Sequence, residues 1–187
     1  MDLSSNTIEE IIRLDESNYF HLARILILLD EMSKKSYGEF IEGITKLVKL
    51  DFLLRYPTVL EKALIKKGKS AKFVDVKEHE RENVESKMIR YKFGPWDKRY
   101  YEFLRILEGL GLIRIGNENG TTLFQITEEG KQTCKNLNNI EIFKDYVKRS
   151  KIITSAFGEN KANYLVKMSY SLRPELSEMK LGEVIEP

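Results

Sequence analysis

The stretch that decides the fold is GLIRIGNENGTTLFQITEEG, residues 111–130. Two short runs rich in β-favouring residues, Leu112–Ile115 and Thr121–Ile126, flank the segment Gly-Asn-Glu-Asn-Gly at 116–120. This composition is typical of a turn between paired strands. The stretch therefore predicts a β-hairpin. Thr127 follows the second run, where a threonine predicts the N-cap of a further helix.

Helical spacing of apolar residues dominates the chain on both sides of this hairpin. Five helices are predicted on this spacing, at about 18–35, 39–55, 97–110, 140–156 and 160–172. Pro57 predicts the start of one more, since a proline suits the first helical position. A strand is predicted at Met88–Phe93 and is expected to end at Gly94 and Pro95.

From residue 39 the predicted order is helix, helix, strand, helix, strand, turn, strand, helix, which is the order of a winged helix. The predicted fold is therefore mainly α with a small β-hairpin, in the α+β class. We divide it into an N-terminal helical extension (1–38), a winged-helix core (39–137) with an exposed insertion at 68–86, C-terminal helices (138–173) and an extended tail (174–187).

Composition excludes several classes of protein. The 187 residues carry 31 basic and 29 acidic side chains, a formal net charge of +2, so any surface for nucleic acid has to be a local patch. Cys134 is the only cysteine, which leaves no disulfide framework and no thiolate zinc cluster. With two histidines in the chain, few nucleophile–base pairs can be built. We expect no catalytic residues, no metal and no cofactor.

Gly68-Lys69-Ser70 matches the end of a phosphate-binding loop, but Ala63 stands where that motif needs its first glycine, and a helix precedes it. No apolar run approaches the roughly 20 residues of a membrane span, and the first ten residues lack a signal-peptide core. We expect a cytoplasmic protein with no membrane partner.

Two groups of basic residues are candidates for DNA contact. One lies at the end of the third predicted helix, and the other surrounds the junction between the predicted strand and the helix after it. Together they comprise Lys66, Lys67, Lys69, Arg90, Lys92, Lys98, Arg99 and Arg105. The alternative is that both groups are solvated faces, partly neutralised by nearby glutamates.

Large apolar residues in two places are candidates for partner binding: Trp96, Tyr100, Leu176, Met179 and Leu181. Aromatic residues often anchor interfaces, although a tryptophan just before a helix also suits a local core position. The tail that carries the other three either folds onto a partner or frays.

Two segments carry a family resemblance: KLVKLDFLLRYP at 46–57 and MIRYKFGPWDKRYY at 88–101. Together they resemble the middle component of ABC-three-component systems, which are bacterial defence operons related to Lamassu. The resemblance implies a non-catalytic accessory subunit that bridges an SMC-like ATPase and an effector such as a nuclease, in a complex that senses foreign DNA. Direct contact of this subunit with DNA stays open.

The sequence leaves one alternative function, a winged-helix transcription regulator or antitoxin that acts as a homodimer. Such a regulator should bind its own promoter far more tightly than random DNA, with a steep loss of affinity in added salt.

Overall fold

The computed structural model of the chain describes residues 5–34, 40–84 and 87–187, with side chains from Asn18 onward. The helices are α1 (Ser5–Ser33), α2 (Ile44–Arg55), α3 (Pro57–Lys66), α4 (His79–Glu82), α5 (Tyr100–Gly109), α6 (Glu128–Leu137), α7 (Lys144–Phe157) and α8 (Ala162–Leu172). The strands are β1 (Ile41–Glu42), β2 (Ile89–Tyr91), β3 (Gly94–Trp96), β4 (Ile113–Glu118) and β5 (Thr121–Ile126). Short 3-10 helices lie at Glu141–Phe143 and Pro174–Ser177.

The predicted hairpin forms as β4 and β5, which pair antiparallel from Ile113 opposite Ile126 to Glu118 opposite Thr121. Asn119 and Gly120 make the turn, with φ of 49° and 79°. A two-residue type I′ turn requires this left-handed conformation at both central residues. β1 joins the other edge of β5, so the sheet order is β1-β5-β4. The prediction of a mainly helical α+β fold is confirmed.

Thr127 caps α6 as predicted, since its Oγ1 accepts a hydrogen bond from the Gly130 backbone N–H at 3.0 Å. The same hydroxyl donates to the carbonyl oxygen of Gly111 at 2.7 Å. These two bonds hold the exit of the hairpin against its entry.

The helix α1 is longer than predicted, because it begins at Ser5 instead of about residue 18. Once a helix is nucleated, each added residue gains a hydrogen bond for a small entropic loss. From Leu22 to Met32 its apolar side chains are buried on more than one face, as its sequence predicts. It packs on α5, α6, α7 and β5 and is the central helix of the fold.

The helix predicted from about residue 39 is corrected at its start. Ile41 and Glu42 pair with Phe124 and Leu123 of β5, and α2 begins only at Ile44. The strand interrupts the helical spacing because the edge of β5 offers hydrogen bonds that a first helical turn would leave unmade.

The predicted break at Gly94 and Pro95 is also corrected. These residues continue into β3, which pairs with β2 in a second hairpin. The helix predicted from about residue 97 begins at Tyr100. Ahead of it, Asp97 Oδ1 accepts from the Arg99 N–H at 3.0 Å, and the Trp96 and Tyr101 rings lie 6.0 Å apart.

The predicted exposed insertion at 68–86 is anchored over its described part, residues 68–84. Val74 and Val84 are buried. Arg149 of α7 donates to the carbonyl oxygen of Val74 at 3.0 Å and holds both carboxylate oxygens of Glu80, at 2.5 and 2.6 Å. An arginine 69 residues further along the chain makes this anchor, so no local pattern reveals it.

Both readings of the tail are wrong, because it packs on its own chain. Leu176 and Ile185 are buried. The Arg90 N–H donates to Glu183 O at 2.7 Å and the Ile185 N–H donates to Met88 O at 2.8 Å. The tail therefore extends the edge of β2.

One hydrophobic core runs through all four predicted segments, from Leu22 of α1 to Ile185 of the tail. Among the residues that the structure describes, none of the helices combines the length and the apolar character needed to cross a membrane.

Candidate partner-binding site

Three of the residues predicted to contact DNA have structural roles. Lys67 donates from Nζ to Ala156 O and to Asn160 Oδ1, and so covers the carboxyl end of α7. Arg90 donates from Nε to Leu176 O at 2.7 Å and thereby holds the tail. Arg99 binds the carboxylate of Asp97 through Nε and Nη2.

The other five predicted DNA contacts are exposed: Lys66, Lys69, Lys92, Lys98 and Arg105. They do not share one element. α3 packs on α2, α4 and α8, whereas α5 packs on α1 and β4. DNA contact by these five residues stays a prediction.

Two of the residues predicted to bind a partner are instead in this chain's own core, which corrects the prediction for them. Tyr100 and Leu176 have no exposed side-chain surface. Trp96 and Met179 are half-buried, and Leu181 is exposed.

A buried ionic network positions the elements around α5. The Asp51 carboxylate of α2 accepts hydrogen bonds from Arg24 Nε at 2.8 Å and Arg24 Nη2 at 3.2 Å. It also accepts one from Arg55 Nε at 3.0 Å. Arg55 then donates from Nη1 to Asp97 Oδ2 at 2.8 Å, and Arg99 binds the same carboxylate. Burial by itself raises the pKa of Asp51, but the two arginines outweigh it and hold that pKa at about 2. The network joins α1, α2 and the start of α5.

Two neutral groups complete this network. The Tyr100 hydroxyl donates to Asp51 Oδ2, and burial together with that carboxylate raises the pKa of Tyr100 well above its usual value. His21 Nδ1 lies 2.7 Å from Arg24 Nη1. Because an arginine only donates, Nδ1 accepts and the proton sits on Nε2. Burial, followed by the charge of Arg24, lowers the pKa of His21 to about 3.

We find two exposed apolar surfaces, one at each end of α5. The first, which we call the groove surface, surrounds a cavity of about 410 Å³ lined by residues of α1, α5 and α6. Two of its lining residues, Tyr19 and Leu110, have large side chains that are 68% and 59% exposed.

The second, which we call the hairpin surface, is made by the β2–β3 hairpin and the first turn of α5. Tyr91, Phe93 and Tyr101 are exposed here, and Tyr101 reaches 59%. Trp96 stacks between these groups, with ring centroids 5.8 Å from Tyr91 and 6.0 Å from Tyr101. All four side chains line one cavity, and of these Trp96 is the candidate for partner binding that the sequence predicted.

A cavity of about 320 Å³ opens within the hairpin surface. Its floor is Lys49 of α2, whose side chain is 1% exposed. The ammonium group donates to Pro95 O at 2.6 Å. Sequence reasoning missed this residue, although a lysine inside the apolar run 47–54 is a signal that could have found it.

In the described part of the chain, no three histidine, cysteine or acidic side chains come together as a metal site requires. The comparisons with known proteins give one match. A family model described as ABC-three component (ABC-3C) system Middle Component 4 matches residues 32–161. The chain belongs to this family.

The matched residues make up most of the chain and include α2, both hairpins, α5 and α6. The hairpin surface and Lys49 lie wholly inside it. The groove surface lies partly outside, since Tyr19 precedes the matched residues. No curated protein and no solved structure matches this middle component.

As the middle component of a three-component system, the chain acts with other subunits. Apolar side chains that stay exposed on one subunit mark the surfaces where other chains bind. The groove and hairpin surfaces are the candidates for these contacts.

Proposed function

We propose that this middle component is a non-catalytic accessory subunit of a Lamassu-related bacterial defence complex, in which it bridges an SMC-like ATPase and an effector such as a nuclease. The observation that carries the proposal is the presence of two exposed apolar surfaces on a single small chain. A bridging subunit needs two such surfaces, and they must be far enough apart for two partners.

The spacing of the two surfaces supports this role. Tyr101 belongs to the hairpin surface and Leu110 to the groove surface, and α5 runs between them. At 1.5 Å per residue, the nine steps from one to the other span about 14 Å along the helix. The two surfaces therefore lie at opposite ends of α5, which favours a separate partner for each.

The arrangement of α1, β1, α2, α5, β4 and β5 supports a winged-helix architecture for this subunit, with bounds that differ from the core predicted at 39–137, because α1 takes the place of the first helix instead of an N-terminal extension. In the sheet order β1-β5-β4, the short strand β1, which follows α1, lies beside β5. The β4–β5 hairpin then serves as the wing. Residues 56–99, which carry α3, α4, β2 and β3, then form an insertion before the third helix of the trio.

The charge of α5 favours a protein partner over DNA. α5 holds the place of a recognition helix, yet it carries Arg105 against Glu102 and Glu108. Glu108 also accepts a hydrogen bond from the Ile115 N–H at 3.2 Å. A helix that enters the major groove normally offers the phosphates an excess of positive charge.

The test is a tagged pull-down of the full chain from its native host, with the co-purifying proteins identified and quantified by mass spectrometry. We expect a coiled-coil ATPase and an effector at near-stoichiometric amounts. A variant of the groove surface, Tyr19→Glu with Leu110→Glu, should lose one partner. A variant of the hairpin surface, Tyr91→Glu with Tyr101→Glu, should lose the other.

The matched control is Ile65→Glu, because Ile65 is 66% exposed and belongs to neither surface. It should retain both partners. Loss of both partners in either surface variant would argue against a bridge. A lone homodimer that binds its own promoter tightly would overturn the proposal in favour of a regulator.

DNA contact by the assembled complex can be tested on the exposed basic residues of the α5 region. Lys98→Glu with Arg105→Glu should leave DNA binding unchanged if α5 faces protein. A loss of affinity of tenfold or more at fixed salt would instead assign the DNA surface to this subunit.

A further inference from the structure

Lys49 differs from the other deeply buried cations of this chain. Arg24 is paired with Asp51, and Arg149 with Glu80. The Lys49 ammonium has the carbonyl oxygen of Pro95 as its hydrogen-bond partner, and within the described ranges no carboxylate lies within salt-bridge distance of it. An ammonium has three N–H donors, of which the Pro95 carbonyl oxygen takes one.

The surroundings of Lys49 do not compensate its charge. The cavity beside it is walled by Thr45, Tyr91, Phe93, Trp96 and Tyr101, and among the described lining residues none is acidic. A second cation, Lys92, lies over the Phe93 ring at 5.5 Å. Taking a charge out of water without a counter-ion costs several kcal/mol, so this site favours an incoming anion.

The shape of the cavity restricts what this anion can be. A single cation at the floor of an aromatic-walled cavity of about 320 Å³ suits one compact negative group on an apolar body. Nucleic acid is bound by rows of basic side chains that follow successive phosphates, with aromatic rings on which bases stack, whereas Lys49 is the single basic residue among the described lining residues. The site therefore fits a carboxylate side chain of a protein better than a phosphate backbone.

We propose that this cavity, the Lys49 pocket, receives an aspartate or glutamate side chain of a partner subunit, whose carboxylate pairs with Lys49 Nζ while its apolar neighbours pack on the aromatic walls. This inference rests on the proposed function and assigns the chemistry of its hairpin surface.

The protonation of Lys49 supports this assignment. Burial, followed by the charge of Arg90, lowers its pKa to about 7. The groups that face it are Arg90 from β2, Tyr170 from α8 and the two tyrosines across the cavity. A bound carboxylate stabilises the ammonium form, so binding takes up a proton and is tighter at pH 6 than at pH 9.

The first experiment uses the full chain without partners and two matched probes, 3-phenylpropionate and its neutral amide. Trp96 is the only tryptophan and lines the cavity, so its fluorescence reports binding. We expect the carboxylate to bind with a Kd in the millimolar range, and the amide at least fivefold more weakly. Lys49→Met should abolish the difference, whereas Lys161→Met, at an exposed lysine outside both surfaces, should preserve it. Equal binding of carboxylate and amide to the native chain would overturn the inference.

The second experiment measures the affinity of this chain for the captured partner subunit that binds the hairpin surface. Lys49→Met should raise the Kd at least tenfold, about 1.4 kcal/mol, and Lys161→Met should leave it unchanged. An unchanged Kd in Lys49→Met overturns this inference alone, while failure of the native chain to capture any subunit overturns the proposed function. A 12-nucleotide oligothymidylate serves as the nucleic-acid probe. If it quenches Trp96 fluorescence in the native chain but not in Lys49→Met, the pocket binds nucleic acid and the inference of a carboxylate side chain is overturned.

Discussion

Arg55 Nη1 donates a hydrogen bond to Asp97 Oδ2 across 2.8 Å, and both side chains are almost fully buried. This bond fastens the last turn of α2 to the residue three positions before α5. Asp51 extends the link to α1 through Arg24. The hairpin surface is therefore held on a buried ionic framework, and the placement of its aromatic rings depends on that framework.

Asp51→Asn should destabilise the protein strongly. The amide keeps the size of the carboxylate but removes the negative charge that faces Arg24 and Arg55 in the core, where Arg55 keeps Asp97 as its remaining carboxylate. Breaking one partner of a buried pair costs about 3–5 kcal/mol. Urea denaturation at pH 7 measures the loss of unfolding free energy.

The matched control is Asp75→Asn, because Asp75 is half exposed and pairs with Lys77 at the surface. Solvent screens exposed pairs, which contribute little to stability, so this variant should stay close to the native protein. A loss below about 1 kcal/mol in Asp51→Asn would show that the buried network is not a framework.

His21 should make the protein sensitive to acid at a pH where the carboxylates of the network are still ionised. Its pKa is about 3 in the folded state against 6.5 in the unfolded state. The unfolded state therefore binds more protons between these values, and stability falls as the pH drops from about 6.5 towards 3. Asp51, with a folded pKa of about 2 against 3.8, contributes only below about pH 4.

His21→Asn tests this assignment, since its side-chain oxygen can still accept from Arg24. We expect the native protein to lose about 2–3 kcal/mol between pH 7 and pH 4, and the variant to lose much less over the same interval. His79→Asn is the control, because that imidazole is exposed. An unchanged slope in His21→Asn would assign the acid sensitivity to other groups.

Gly130→Ala should destabilise the junction between the β4–β5 hairpin and α6. A Cβ at this position would lie 2.2 Å from the backbone oxygen of Leu112. Because this oxygen belongs to the backbone, it cannot move aside as the end of a flexible side chain could. We expect a loss of about 2–4 kcal/mol in thermal or chemical unfolding. Gly109→Ala, with open space around the added methyl group, should be neutral or slightly stabilising. Equal effects of the two substitutions would contradict the close packing of α6 on Leu112.

Tyr56→Phe should loosen the tail. The Tyr56 hydroxyl accepts from the Met88 N–H at 2.8 Å and donates to Ile185 O at 2.9 Å. Without it, two buried backbone groups lose a partner, at about 1–3 kcal/mol. Hydrogen exchange should accelerate for residues 182–187 in particular.

Tyr164→Phe serves as the control for the tail, since Tyr164 is partly exposed on α8. The tail should exchange at the native rate in this variant. If Tyr56→Phe left exchange of 182–187 unchanged, the tail would be held by other contacts, such as Arg90 with Leu176 O.

Local features were predictable because their causes lie within a few residues. The turn at Asn119 and Gly120, the cap at Thr127 and the helix start at Pro57 all follow from side chains acting on neighbouring backbone. The candidate site was harder to predict. Trp96 was identified by residue type, but Tyr100 was assigned to a partner although its hydroxyl pairs with Asp51 of α2, 49 residues earlier.

The sequence by itself determined the helical framework, the β4–β5 hairpin and the family, since apolar spacing, turn composition and the segments at 46–57 and 88–101 are readable without coordinates. Only the tertiary structure decided which charges are compensated. Arg24 meets Asp51, Arg149 meets Glu80, and Lys49 meets a carbonyl oxygen beneath aromatic rings. The cost of burying a charge depends on the groups that surround it in space, and for these residues most of those groups come from distant parts of the chain.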